Sequence, residues 1–93
     1  MNTTKMKVQN LEGTRGNKAP NQFEIITPAG RYFQSYESVI CFVPNEGQTL
    51  LDKKYYNYSK TTSKYRNLFL GEDSKTIEAK ISSGVYALVD LNS

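Results

Sequence analysis

Apolar positions are sparse at the start of the chain and dense in its middle. After Met1, the large apolar side chains of the first twenty-one residues are Met6, Val8 and Leu11, set among asparagines, threonines, Gly13, Gly16, Pro20 and isolated charges. This predicts a flexible polar arm over residues 1–21, with a short edge strand at 5–9 as the alternative. From Gln22 the pattern changes. Phe23-Glu24-Ile25-Ile26-Thr27 is β-branched and partly alternating, as a half-buried strand requires. Thr27-Pro28-Ala29-Gly30 reads as a type I turn with a bulge, in which Pro28 presets φ and Gly30 takes a left-handed φ. Arg31 to Tyr36 then returns antiparallel. Glu37 to Val43 is a third strand, and its apolar run Val39-Ile40-Cys41-Phe42-Val43 predicts a central place buried on both faces. After the loop Pro44–Gly47, Gln48 to Asp52 forms a short fourth strand, which gives an antiparallel meander.

Residues 53–71 break the β pattern. They open as an irregular aromatic segment and continue as a helix, with Thr61 or Thr62 as N-cap and Gly71 in the left-handed cap position. Tyr65, Leu68 and Phe69 stand at i, i+3, i+4 and define the predicted buried face, with Lys64 and Asn67 turned elsewhere. Asp73 or Ser74 caps a second helix with Ile77 and Ile81 as its seam and Gly84 as its stop. Val85 to Leu91 closes the chain as a strand, with Val85, Ala87, Val89 and Leu91 on one face. The expected fold is therefore α+β: a four- to five-stranded antiparallel sheet with two short helices on one face. It forms one domain over residues 22–93, preceded by the arm.

Composition narrows the function classes. No apolar run reaches the length of ~18–20 residues that spans a bilayer, and Met1 to Lys5 lack the apolar block of a secretory signal, so a cytoplasmic site and no membrane partner are expected. Cys41 is the single cysteine and histidine is absent, which removes an internal disulfide, metal sites of the usual Cys/His type and His-based nucleophilic catalysis. The net charge of +3 is unevenly spread. Residues 1–21 carry +3, 22–52 carry −3, 53–71 carry +5 and 72–93 carry −2. Five of the twelve basic residues and four of the seven tyrosines fall within 53–71, which contains no acid.

The hydroxyls of Tyr58, Ser59, Thr61 and Thr62 have no adjacent base to activate them. Lys60 and Lys64 lie in a polar, solvated segment, and the chain is read as non-enzymatic, without a cofactor or a metal. A structural reading accounts for those hydroxyls: Tyr58 packs under the helix, Ser59 makes a local turn, and Thr61 and Thr62 cap. The candidate partner-binding residues are Lys53, Lys54, Tyr55, Tyr56, Lys60, Lys64 and Arg66, since tyrosine and arginine dominate interface hot spots. The same segment suits weak nucleic-acid binding, its lysines meeting phosphates and Tyr55, Tyr56 and Tyr58 stacking on unpaired bases. In the arm, Lys5, Lys7, Arg15 and Lys18 suit an anionic partner or plain solvation.

Phe33-Gln34-Ser35-Tyr36-x-Ser38-x-Ile40, followed by Tyr56-x-Tyr58-Ser59-x-Thr61-Thr62-x-Lys64-Tyr65-Arg66-x-x-Phe69-Leu70-Gly71, resembles a group of small bacteriophage and prophage proteins. Its members carry an aromatic-Asp-Tyr-Ser-x-Thr-Thr-x-Lys pattern ahead of a short helix. Here Asn57 replaces the common aspartate and Tyr56 the common tryptophan, which removes the carboxylate from that spot. The resemblance spans roughly residues 22–90. It implies a protein that binds a host protein or complex in the host cytoplasm and inhibits a defence component, as anti-CRISPR proteins do, by steric occlusion.

Overall fold

The computed structural model describes residues 6–13 and 16–92, and these form an α+β fold of six strands and two helices. The strands are β1 (Lys7–Glu12), β2 (Lys18–Thr27), β3 (Gly30–Ser35), β4 (Ser38–Pro44), β5 (Leu50–Asp52) and β6 (Ala87–Val89). The helices α1 (Lys60–Leu70) and α2 (Ser74–Ser82) lie between β5 and β6. The sheet runs in chain order, antiparallel as far as β5, while β6 joins β5 in parallel. Parallel pairing needs a crossover, and the two helices supply it.

Two corrections to the sequence reading concern the first third of the chain. The sixth strand is β1, in the segment read as a flexible arm; the alternative of an edge strand at 5–9 is the nearer one, though the strand starts later and runs on to Glu12. Residues 1–5, 14 and 15 lie outside the described residues, so Lys5 and Arg15 are not placed. β1 pairs with β2 from Lys7↔Ile26 to Asn10↔Phe23, then resumes at Glu12↔Lys18 after a bulge. Asn10 Nδ2 donates to the Ala19 carbonyl at 2.9 Å, and Ala19 is buried. The domain therefore does not begin at residue 22. This mostly polar edge strand is held by main-chain pairing and by Leu11 against the core, a single apolar anchor that leaves little hydrophobic trace in sequence.

The β2–β3 hairpin turns at Pro28-Ala29 as the sequence predicts, with Thr27 paired to Gly30 and Thr27 Oγ1 accepting from the Ala29 and Gly30 amides. Gly30 has the expected positive φ, though at 155° it lies beyond the left-handed helical value of about +57°. A Cβ there would also meet the Val43 carbonyl oxygen at 2.4 Å, so glycine is required both by its φ and by the close approach of β4.

The core lies on one side of the sheet. Phe33, Cys41 and Leu51 face one another across β3, β4 and β5, fully buried, and join Ile40, Phe69, Ile77 and Tyr86. The apolar run of β4 is not buried on both faces. A bulge opposite Phe33 and Gln34 leaves Ile40 without a partner, so Ile40 and Cys41 are consecutive buried residues while Phe42 remains half-exposed on the far side. Burial raises the Cys41 thiol far above its ordinary pKa, which leaves it an inert apolar group. Ile77 and Ile81 form the expected seam of α2, and Asp73 is its N-cap, accepting from the Thr76 amide at 2.8 Å. β6 is shorter than expected: Val85 is exposed, and Tyr86, outside the predicted apolar face, is buried.

Candidate functional site

The basic shoulder starts from a fully buried carboxylate. Asp52 Oδ2 accepts from the Lys54 and Tyr55 amides at 3.0 and 2.8 Å, and Oδ1 accepts from the Leu91 amide at 2.8 Å. Burial raises its pKa, but the Leu91 and Tyr55 amides, Asn92 and the Lys54 amide outweigh this and hold it below the usual aspartate value. The Tyr56 amide bonds back to the Asp52 carbonyl at 2.9 Å, and the Tyr58 amide to the Tyr55 carbonyl at 3.2 Å. These tight turns leave the side chains of Lys53, Lys54 and Tyr58 outside.

Ser59, rather than either threonine, is the N-cap of α1. Its φ of −152° is extended, and its hydroxyl accepts from the Thr62 amide at 3.1 Å. Thr62 is buried and meets Ser35 Oγ at 3.1 Å, which ties the first helical turn to β3. Gly71 closes the helix at φ 71°, as the sequence predicts. The buried face is Thr62, Arg66 and Phe69, with Tyr65 packed beside them; Leu68, expected inside, is exposed.

The structure divides the seven candidate residues. Lys53, Lys54, Lys60 and Lys64 are exposed, and among the described residues none of them forms a salt bridge. Lys54 and Lys64 lie 5.3 and 5.4 Å from the ring centroids of Tyr55 and Tyr65. Tyr55 and Tyr56 are half-buried against the core, and the Tyr56 hydroxyl donates to Glu78 at 3.1 Å. Burial, reinforced by Glu78, raises the pKa of Tyr56. Arg66 is a correction. It is 1% exposed, with Nη1 donating to the Tyr56 carbonyl at 2.7 Å and Nη2 donating to Asn67 Oδ1 and Ser74 Oγ at 2.9 and 3.0 Å. Burial lowers its pKa, and its donors are already engaged, so it braces the shoulder from within. Tyr58, expected to pack under the helix, is 70% exposed with its ring against the edge of Tyr55.

The sequence reading also missed the groove these residues border. Asn57, Ser59, Lys60, Ser63, Lys64, Asn67 and Ser74 line a concavity of about 470 Å³. A second concavity of about 630 Å³ shares Lys64 and Asn67 with the first and is bounded by Leu68, Gly71, Glu72 and Asp73. The i, i+4 spacing of Lys60 and Lys64 places both on one side of α1, and Asn57 accepts from Ser63 at 2.8 Å along the rim. Among the described residues, no group of three or more His, Cys, Asp and Glu side chains is arranged to hold a metal ion, and no helix is long and apolar enough to cross a membrane.

The fold and this shoulder define a small α+β domain whose exposed basic helix borders a groove. The chain belongs to a family of unknown function, DUF8033, whose model matches residues 6–84. No curated protein and no solved structure matches it.

Proposed function

We propose that the protein is a non-catalytic binding module that docks an acidic host protein on the α1 shoulder, and that it inhibits a host defence component by occupying that component's surface. The observation that carries this reading is the set of four exposed lysines, Lys53, Lys54, Lys60 and Lys64, with no carboxylate bridged to them among the described residues. Unpaired cations beside a groove offer an acidic surface charge complementarity and a fast approach. Exposed Tyr58 and Leu68 add the apolar contact that a protein partner uses. Anti-defence action follows from the resemblance to small phage proteins. The reading places the molecule in the host cytoplasm with no cofactor.

Tyr58 favours a second reading. An exposed ring two residues before the exposed Lys60 offers a stacking platform in the same segment as a phosphate contact, as weak binding of single-stranded nucleic acid requires. Pull-down from infected-host lysate, with mass spectrometry of the captured proteins, is run beside anisotropy with labelled DNA and RNA, single- and double-stranded. The first reading expects a host protein recovered by the wild type and lost with Lys60→Glu/Lys64→Glu, without nucleic-acid affinity. Micromolar affinity for an oligonucleotide, falling steeply with salt and abolished by the same pair, establishes the second. If the charge-reversed pair keeps every partner that the wild type captures, the shoulder is only a solvated surface.

A further inference from the structure

One face of the sheet carries the core; the other also presents an apolar row, which is part-exposed and lies outside the buried cluster. The strand register assembles a row across all six strands: Val8, Ile25, Tyr32, Phe42, Leu50 and Ala87. Facing residues share a side of the sheet, and this row alternates with the buried positions Phe33, Cys41 and Leu51. No member of the row packs against the buried cluster. The Tyr32 and Phe42 rings stack at its centre with centroids 4.3 Å apart. Phe23 and Val39, both half-exposed, widen it on either side of Gln34. An antiparallel sheet with one solvated face ordinarily alternates to polar side chains there; here Asn10 and Gln34 are polar, but the row beside them is apolar.

We propose that this face is the contact surface of a homodimer, in which a second copy of the chain lies sheet on sheet about a twofold axis. Charge argues for that occupant. The row has no ionisable group except the Tyr32 phenol, while Glu24 and Arg31 pair on the helix side, where Arg31 lies 4.6 Å from the Phe69 ring centroid. Lys60 and Lys64 ride on α1 beyond the core. Two copies with a net charge of +3 each therefore meet here without opposing their lysines and without burying an ion. Among the described residues, an acidic protein or a nucleic acid finds no cation in this row.

Area argues for a weak dimer. Five inter-strand spacings of about 4.8 Å make the face roughly 24 Å wide. With about 20 Å along the strands, each copy contributes about 500 Å², so the pair buries about 1,000 Å², the lower limit for a specific interface.

This inference is independent of the shoulder's role, and sedimentation equilibrium of the full chain from ~1 µM to ~1 mM tests it. The wild type is expected to pass from one 10.6 kDa chain to twice that mass, and Phe42→Lys to raise the dissociation constant tenfold or more. Lys60→Glu/Lys64→Glu leaves the equilibrium unchanged. If circular dichroism shows Phe42→Lys unfolded, Val8→Lys is read instead, because Val8 is already 58% exposed; it is expected to weaken the dimer several-fold. The proposal is overturned by a wild type that stays monomeric to ~1 mM. It is also overturned by a folded open-face variant that dimerises as tightly as the wild type, or by a face that responds only to added vesicles or a foreign protein.

Discussion

Arg66 is a charged side chain enclosed without a carboxylate partner within bridging distance among the described residues. A buried guanidinium is tolerated when its donors are satisfied, and here the Tyr56 carbonyl, Asn67 and Ser74 satisfy them, joining the turn before α1 to the start of α2. Lysine cannot reproduce this fork, since its ammonium is a single point of contact on a flexible stem. Arg66→Lys is therefore expected to cost about 2–3 kcal/mol, read from urea denaturation, while Lys60→Glu/Lys64→Glu stays within about 0.5 kcal/mol of the wild type. An Arg66→Lys variant as stable as the wild type would return Arg66 to the binding surface. The sequence reading placed it there because arginine, like tyrosine, is enriched in interface hot spots. The contrary signal was present in the spacing: Thr62, Arg66 and Phe69 stand at i, i+4, i+7, as good a stripe as Tyr65, Leu68 and Phe69.

At the scale of the element, α1 shows which parts of a pattern survive folding. Its existence, its length to within a residue or two and its Gly71 stop were legible, because capping chemistry and helical period are local. Its rotation was not, because the inward face is chosen by the sheet beneath it. Phe69 stacks on Phe33 at 5.7 Å and Thr62 bonds Ser35, and that choice turns Leu68 out toward the groove. Phe69→Ala is expected to cost about 3–5 kcal/mol by denaturant titration, since a buried aromatic leaves a cavity. Leu68→Ala is expected to cost less than about 1 kcal/mol. The reverse order would show the helix to be rotated by about a third of a turn. Likewise the β2–β3 hairpin was legible from its turn residues, whereas the β4 bulge was hidden in an apolar run that suits burial on one face or both.

The whole molecule has two kinds of surface, a charged shoulder on the helix side and an uncharged apolar sheet face opposite, and the first third of the chain contributes to both. Lys18 reaches a concavity shared with Lys64, and Val8 ends the apolar row. Composition could not reveal this, because Lys7–Glu12 is held mainly by a main-chain ladder, with Leu11 as its one apolar contact to the core cluster. Deleting residues 1–21 separates an arm from a working part of the sheet. The truncation removes β1 and Ala19, leaves the Phe23–Ile26 edge unpaired, and takes away the Asn21 carbonyl, which accepts from the Tyr36 amide at 2.7 Å beside the β3–β4 turn. Loss of an edge strand, one buried residue and a turn bond amounts to at least about 2 kcal/mol, which in a chain of this size lowers Tm by about 10 °C or more. The bared edge also favours aggregation during the melt. A truncated chain that melts within about 2 °C of the full one, reversibly, would mean that β1 contributes nothing to the fold.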